Sequence, residues 1–215
     1  MTWTPNEALF DSLNGHSWPT LENMIFHILS LLINIFTSLV AGTALLRAYL
    51  QYHYIPLSTR SGNPFAPIVF ALTNWIVLPM RRIIPSMGRL DTSSVLAALL
   101  VVALKTIALS LMGIISSLPV VIAIDAGFEF ISLILSCLSS LLLAYVVLSW
   151  VQRDSPLFDL LSRMVIPILA PIRQRIRTLG GMDWSVLVVF LLLQIANIVL
   201  VDVHSSLIAL TWNTV

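Results

Sequence analysis

The chain has 215 residues, 58% of them hydrophobic and only 10% charged, with a formal net charge of +1. A water-soluble domain carries about a quarter charged residues, so the solvent this composition suits is lipid. A net charge this small excludes the broad basic field that nucleic-acid binding requires, and no nucleic-acid partner is expected.

In chain order, residues 1–23 form a tail with no Lys or Arg, which lacks the basic region of a cleavable signal peptide and is expected to stay on the mature protein. A first apolar stretch, 24–46, follows, its sparse polar content including Asn34. Next comes "NPFAPIVFALTNWIVLPMRRIIP". Its apolar part, 65–78, is hydrophobic all round, which suits either a helix lying in the membrane interface or a shallow re-entrant dip. A second apolar stretch, 95–118, contains Lys105, and a link, 119–129, leads to a third, 130–150, with the single cysteine, Cys137, read as a small buried hydrophobe. "SPLFDLLSRMVIPILAPIRQRIR" then sets Leu157, Leu160, Leu161, Met164, Ile168 and Ile172 on one side of a helix and Asp159, Ser162, Arg163 and Arg173 on the other. That is the pattern of an amphipathic interfacial helix, which Pro167 and Pro171 should divide into two short pieces. A fourth apolar stretch, 186–210, carries Gln194, Asn197 and Asp202, and a short tail, 211–215, ends the sequence. Each apolar stretch reaches the ~20 residues that span a bilayer. The expected fold is an all-α polytopic membrane protein with four transmembrane helices.

The chain is written twice. "PMRRIIPSMGRLDTS" at 79–93 returns as "PIRQRIRTLGGMDWS" 92 positions later, aligning Pro64 with Pro156, Pro79 with Pro171, Arg81 with Arg173, Gly88 with Gly180, Asp91 with Asp183 and Ser93 with Ser185. Further back, Ala48-Tyr49 aligns with Ala144-Tyr145 at a shift of 96. The repeats are therefore 24–118 and 130–210, each a span, an interfacial helix, a basic turn and a span. With two spans per unit, both copies run the same way through the membrane, a parallel tandem repeat.

Ten of the eleven basic residues lie between the spans of one repeat or the other: Arg47, Arg60, Arg81, Arg82 and Arg89, then Arg153, Arg163, Arg173, Arg175 and Arg177. The positive-inside bias makes both segments cytoplasmic and both termini external. Trp75, Trp150 and Trp184 would then lie at the inner interface, and Trp18 and Trp212 at the outer one. Arg81, Arg82, Arg89, Arg163, Arg173, Arg175 and Arg177 are the candidate binding residues, since each arginine at phosphate level gains about 1 kcal/mol against anionic lipid headgroups. Asp91 and Asp183, with Ser93 and Ser185, open the following spans and are expected to cap helix N-termini.

The string from Asn63-Pro64 through Leu72-Thr73, Pro79, Arg81-Arg82, Pro85, Gly88, Asp91 and Ser93 resembles the repeat of the YggT family of bacterial inner-membrane proteins, which has relatives in cyanobacteria and plastids. That repeat reads approximately N-P, L-T-D-P, R-P-I-R-R-I-L-P, G-G, D-x-S-P. In the second copy Pro156, Pro167, Pro171, Arg173, Gly180-Gly181, Asp183 and Ser185 carry the resemblance. The chain departs from it where the family's T-D-P aspartate is Asn74 in one copy and Ile166 in the other, and its proline is Trp75 in the first. The resemblance implies an inner-membrane protein connected with osmotic or envelope stress, cell division or chromosome distribution, or, in plastid relatives, with assembly of a membrane cytochrome complex.

Catalytic chemistry needs convergent reactive groups, and the sequence offers none: no phosphate-binding glycine loop, no H-E-x-x-H and no C-x-x-C, so neither catalytic residue, metal nor cofactor is expected. His16, His27, His53 and His204 are scattered; the pair expected near the outer face, His27 and His204, has no evident carboxylate partner. A charge inside a span costs several kcal/mol unless paired. Lys105, Glu129 and Asp202 are expected at similar depth, as a structural ion pair, as an ion pathway, or with Lys105 snorkelling. These features point to a non-enzymatic scaffold or assembly factor that binds anionic lipid and other membrane proteins or its own copies. The alternative is a small oligomeric channel or transporter for ions or osmolytes.

Overall fold

The computed structural model describes residues 21–55, 66–84, 91–115, 118–174 and 184–213. They form six helices: α1 Leu21–Tyr52, α2 Ala66–Ile83, α3 Thr92–Leu111, α4 Pro119–Val151, α5 Pro156–Arg173 and α6 Trp184–Asn213. In hydrocarbon every backbone N–H and C=O must be satisfied within the segment, which is why apolar runs of this length become helices. α1, α3, α4 and α6 are long and apolar enough to cross a membrane, and the protein is a four-span membrane protein of two tandem units. α2 and α5, 18 residues each, lie between the spans of their units.

Two local expectations are corrected. The stretch expected to link the repeats, 119–129, is helical, because Pro119 at the first helical position has its φ preset and no N–H to leave unpaired. α5 is also one helix, with Pro167 and Pro171 inside it. The bond that Pro167 cannot make is to the C=O of Arg163, and Arg163 lies on the exposed side, where that carbonyl can find another donor. The helix is held at its start by Ser155, whose Oγ accepts from Phe158 N–H at 3.2 Å. α3 ends where Gly113 takes a left-handed φ of 72° and Ile114 N–H returns to Leu109 C=O at 3.0 Å.

The chain divides into two units, Met1–Ile35 and Phe36–Val215. Of the first, the opening turns of α1 are described; there Ser30 Oγ donates to His27 C=O at 2.9 Å. In the second, α3 is the most enclosed span. Its Ala97, Ala98, Val101 and Val102 meet Val40, Ala41 and Ala44 of α1 and Ile76 and Val77 of α2. The alanines let backbones approach, and close packing is what drives helix association when the solvent is itself apolar. The second repeat's counterpart joins Leu142 of α4, Val165 and Leu169 of α5, and Val186 and Val189 of α6. A third cluster ties the two together, Leu50 and Ile55 packing with Leu161 and Met164 of α5. On the outside, α6 presents Leu191, Ile195, Ile198, Val199 and Leu210, all at least half exposed, a surface only lipid or another helix can cover.

Candidate functional site

The helices of the first repeat converge on a buried charge cluster. Asp91 stands at the head of α3 with its side chain 0% exposed. Arg81, from the end of α2, donates from Nη2 to Asp91 Oδ2 at 2.5 Å, and Ser94 Oγ donates to the same oxygen at 2.8 Å. Arg47, on α1 and only 5% exposed, brings Nε to 3.7 Å of that oxygen. Its Nη1 donates to Thr73 Oγ1 at 3.1 Å and Asn74 Oδ1 at 2.9 Å, and the guanidinium lies over the Phe70 ring, 5.2 Å from its centroid. Thr73 Oγ1 donates onward to Val69 C=O at 2.6 Å. One aspartate thus anchors two arginines from two other helices. Asp91 Oδ1 and Arg81 Nε remain buried without a hydrogen-bond partner.

This arrangement corrects the capping expectation. Asp91 occupies the N-cap position, but its carboxylate receives no backbone N–H. Its backbone carbonyl oxygen accepts from Ser94 N–H at 2.9 Å and Val95 N–H at 3.2 Å, and the carboxylate is drawn to the arginines instead. Ser93 is not a cap either: its hydroxyl donates to Ile84 C=O at 2.8 Å and pins the start of α3 to the end of α2. Ser185, its repeat counterpart, is likewise buried. Arg81, expected to face lipid phosphates, is turned inward and only 37% exposed. Arg82, Arg163 and Arg173 are exposed; Arg89, Arg175, Arg177 and Asp183 lie outside the described residues.

The second repeat keeps the arginine and the aspartate in sequence, as Arg173 and Asp183, but not the residues around them. At the aligned positions Arg47 becomes Leu143, Thr73 becomes Val165, Asn74 becomes Ile166 and Ser94 becomes Val186. Val165 and Val186 are core residues there. They thus put apolar packing where the first repeat has the Thr73 and Ser94 hydroxyls, so the Arg47–Thr73–Asn74 part of the network is particular to the first repeat. Sequence reading missed Arg47 because it was counted with the interhelical basic residues; its position within the apolar period of α1 was the available signal.

Two further pairs tie spans together. Lys105 of α3 pairs with Glu129 of α4, as the matched depths suggested, but Asp202 is exposed and takes no part. His204 on α6 has a carboxylate partner after all, Asp125 Oδ1 at 2.7 Å from its Nε2, and its ring lies 5.0 Å from that of Phe128. Near the basic end, Tyr49 on α1 donates to Met164 C=O on α5 at 2.5 Å, with the His53 ring 4.6 Å away. Burial lowers the His53 pKa from its ordinary value. Beside these contacts, a 920 Å³ groove opens between α1 and α4, from Ser38 and Glu129 to Tyr52 and His53.

The family model described as CCB3/YggT matches residues 23–112 and again 124–204, once for each repeat. The chain belongs to the CCB3/YggT family. Among its relatives is a Vibrio alginolyticus protein from the proC 3' region, 35% identical over 81% of this chain and 94% of that one. The Escherichia coli K12 protein YggT is 31% identical over 84% of this chain and 91% of its own. No solved structure matches. Asn74, where the resemblance leads one to expect an aspartate, gives Arg47 an acceptor that carries no charge.

Proposed function

We propose that this protein is a non-enzymatic scaffold or assembly factor of the bacterial inner membrane, with both termini outside and the arginine-bearing helices on the cytoplasmic surface. The observation that carries the reading is the division of α5 into a buried stripe, Leu161, Met164, Val165 and Leu169, and an exposed one, Asp159, Arg163 and Arg173. A helix so divided suits the interface, its arginines at the level of anionic headgroups. α2 exposes Ile68, Trp75 and Leu78 beside Arg82 and so sits deeper in the same layer. Of the ionisable groups on the spans, Arg47 pairs with Asp91, Lys105 with Glu129 and His204 with Asp125, while Asp202 stays exposed; this pairing between helices fits a framework that presents a surface better than a reaction centre. The family resemblance suggests osmotic or envelope stress, or division, as the setting.

The test uses the purified protein in bilayers mixing phosphatidylglycerol with phosphatidylcholine, and reads the motionally restricted fraction of a spin-labelled form of each lipid. The protein should select the anionic lipid. Arg82→Gln, Arg163→Gln and Arg173→Gln together should remove most of the selectivity, at about 1 kcal/mol per charge, and raised salt should act in the same direction. Equal association with both lipids, or selectivity unchanged by the three substitutions, would refute the reading.

A further inference from the structure

A second groove, 360 Å³, runs between α4 and α6, lined by Leu135, Ser136, Ser139, Ser140, Gln194 and Asn197 among others. It lies about 24–38 Å along α4 from Pro119, from the middle of that 33-residue helix into its second half. Hydrocarbon surrounds a membrane span at that depth, and a polar side chain there is costly unless it finds a partner. Asn197 has one, accepting from Ser132 Oγ at 3.2 Å. Among the described residues, no hydrogen bond engages the side chains of Ser136, Ser139, Ser140 or Gln194, and Ser136 and Ser140 are exposed. The hydroxyls can turn to a carbonyl one turn back in their own helix, but a monomer in lipid would leave the Gln194 carboxamide without a partner.

We propose that a second copy of this chain packs here, α4 against α4, about a two-fold axis along the membrane normal. Three observations select that occupant. No lining residue is charged, so the groove offers nothing for a charged partner to neutralise. Each of the four unengaged groups is both donor and acceptor, which makes the face complementary to itself, as an isologous interface must be. The axis also brings residues of equal depth together, so that Gln194 of one copy reaches Gln194 or the serines of the other while both copies keep one orientation in the bilayer. The hydroxyls recur at Ser132, Ser136 and Ser140, with Ala144 continuing the row, leaving α4 a narrow face that admits a second backbone closely. The interface involves no arginine, so it stands or falls separately from the lipid-binding surface.

The test is cysteine cross-linking of the full-length protein in native membranes, with Cys137→Ala to remove the native thiol. Ser136→Cys and Ser140→Cys should each give a homodimer with a short bifunctional thiol reagent, while Val199→Cys, on an exposed part of α6 turned away from Gln194, should not. Gln194→Leu should lower the association constant in micelles about threefold to thirtyfold, the range expected from interhelical side-chain hydrogen bonds; Gln194→Asn should retain more. Because Gln194 has no partner within one copy, Gln194→Leu should leave the helicity and thermal stability of the monomer unchanged. Cross-linking no stronger at Ser136 and Ser140 than at Val199, a product containing a different protein, or association indifferent to Gln194→Leu would each overturn the proposal.

Discussion

Replacing Asp91 by asparagine preserves the shape of the side chain and removes one negative charge from beneath two guanidinium groups. Arg81, being 37% exposed, can swing toward the surface and recover water; Arg47, at 5%, cannot. At 3.7 Å and an effective dielectric constant near 20, the Arg47–Asp91 attraction is about 4.5 kcal/mol, within reach of the 3–5 kcal/mol that breaking a buried pair typically costs. Asp91→Asn should therefore cost about 3–5 kcal/mol. Arg47→Leu, the residue the second repeat carries at its aligned Leu143, should cost only about 1–2 kcal/mol. It removes the bonds to Thr73 and Asn74 but leaves Asp91 with Arg81 at 2.5 Å and Ser94 at 2.8 Å. Combining the two substitutions removes the stranded cation as well as its counter-charge, so the double variant should be more stable than Asp91→Asn alone. Reversible unfolding in mixed micelles, followed by circular dichroism as sodium dodecyl sulfate is titrated, measures all three. Effects that add within ~0.5 kcal/mol would mean the two residues act independently. A cost below about 1 kcal/mol for Asp91→Asn would refute the ion-pair reading, since a helix cap tolerates asparagine well.

Asn74→Asp should leave stability unchanged or raise it by about 1 kcal/mol in the same titration, because it turns the 2.9 Å bond from Arg47 into a charge-assisted one; a loss larger than that would mean Arg47 is already fully compensated. Lys105→Met alone should cost about 2–3 kcal/mol by stranding Glu129 within a span, and Glu129→Gln added to it should recover much of the loss. The same Lys105→Met variant in liposomes should show no change in ion flux, whereas a changed flux would favour a conductor. Cysteines at Asn6 and Asn213 should react with an impermeant thiol reagent added to intact cells, and one at Arg60 should not; protected termini would reverse the assigned orientation.

The duplication, the four spans and the concentration of arginines in two segments were legible in the sequence because each depends on local order alone. The length of an apolar run decides whether a helix can cross ~30 Å of hydrocarbon, and a repeated phrase survives whatever its side chains later touch. Depth was legible for the same reason, since it grows by 1.5 Å with each residue. That was enough to bring Lys105 level with Glu129, but it also put Asp202 beside them. What depth does not give is the side of the helix. Each residue turns the backbone by about 100°, so which charges meet depends on how every helix is rotated by the packing of its neighbours. The tertiary structure therefore decided that Asp202 faces outward, that His204 meets Asp125, and that Arg81 turns from the membrane surface to Asp91. It decided the role of Asp91 as well: an aspartate opening a span reads as a cap until α1 brings Arg47 beside it, and once two guanidinium groups lie within reach of its carboxylate, attraction between full charges outweighs a hydrogen bond to a backbone N–H.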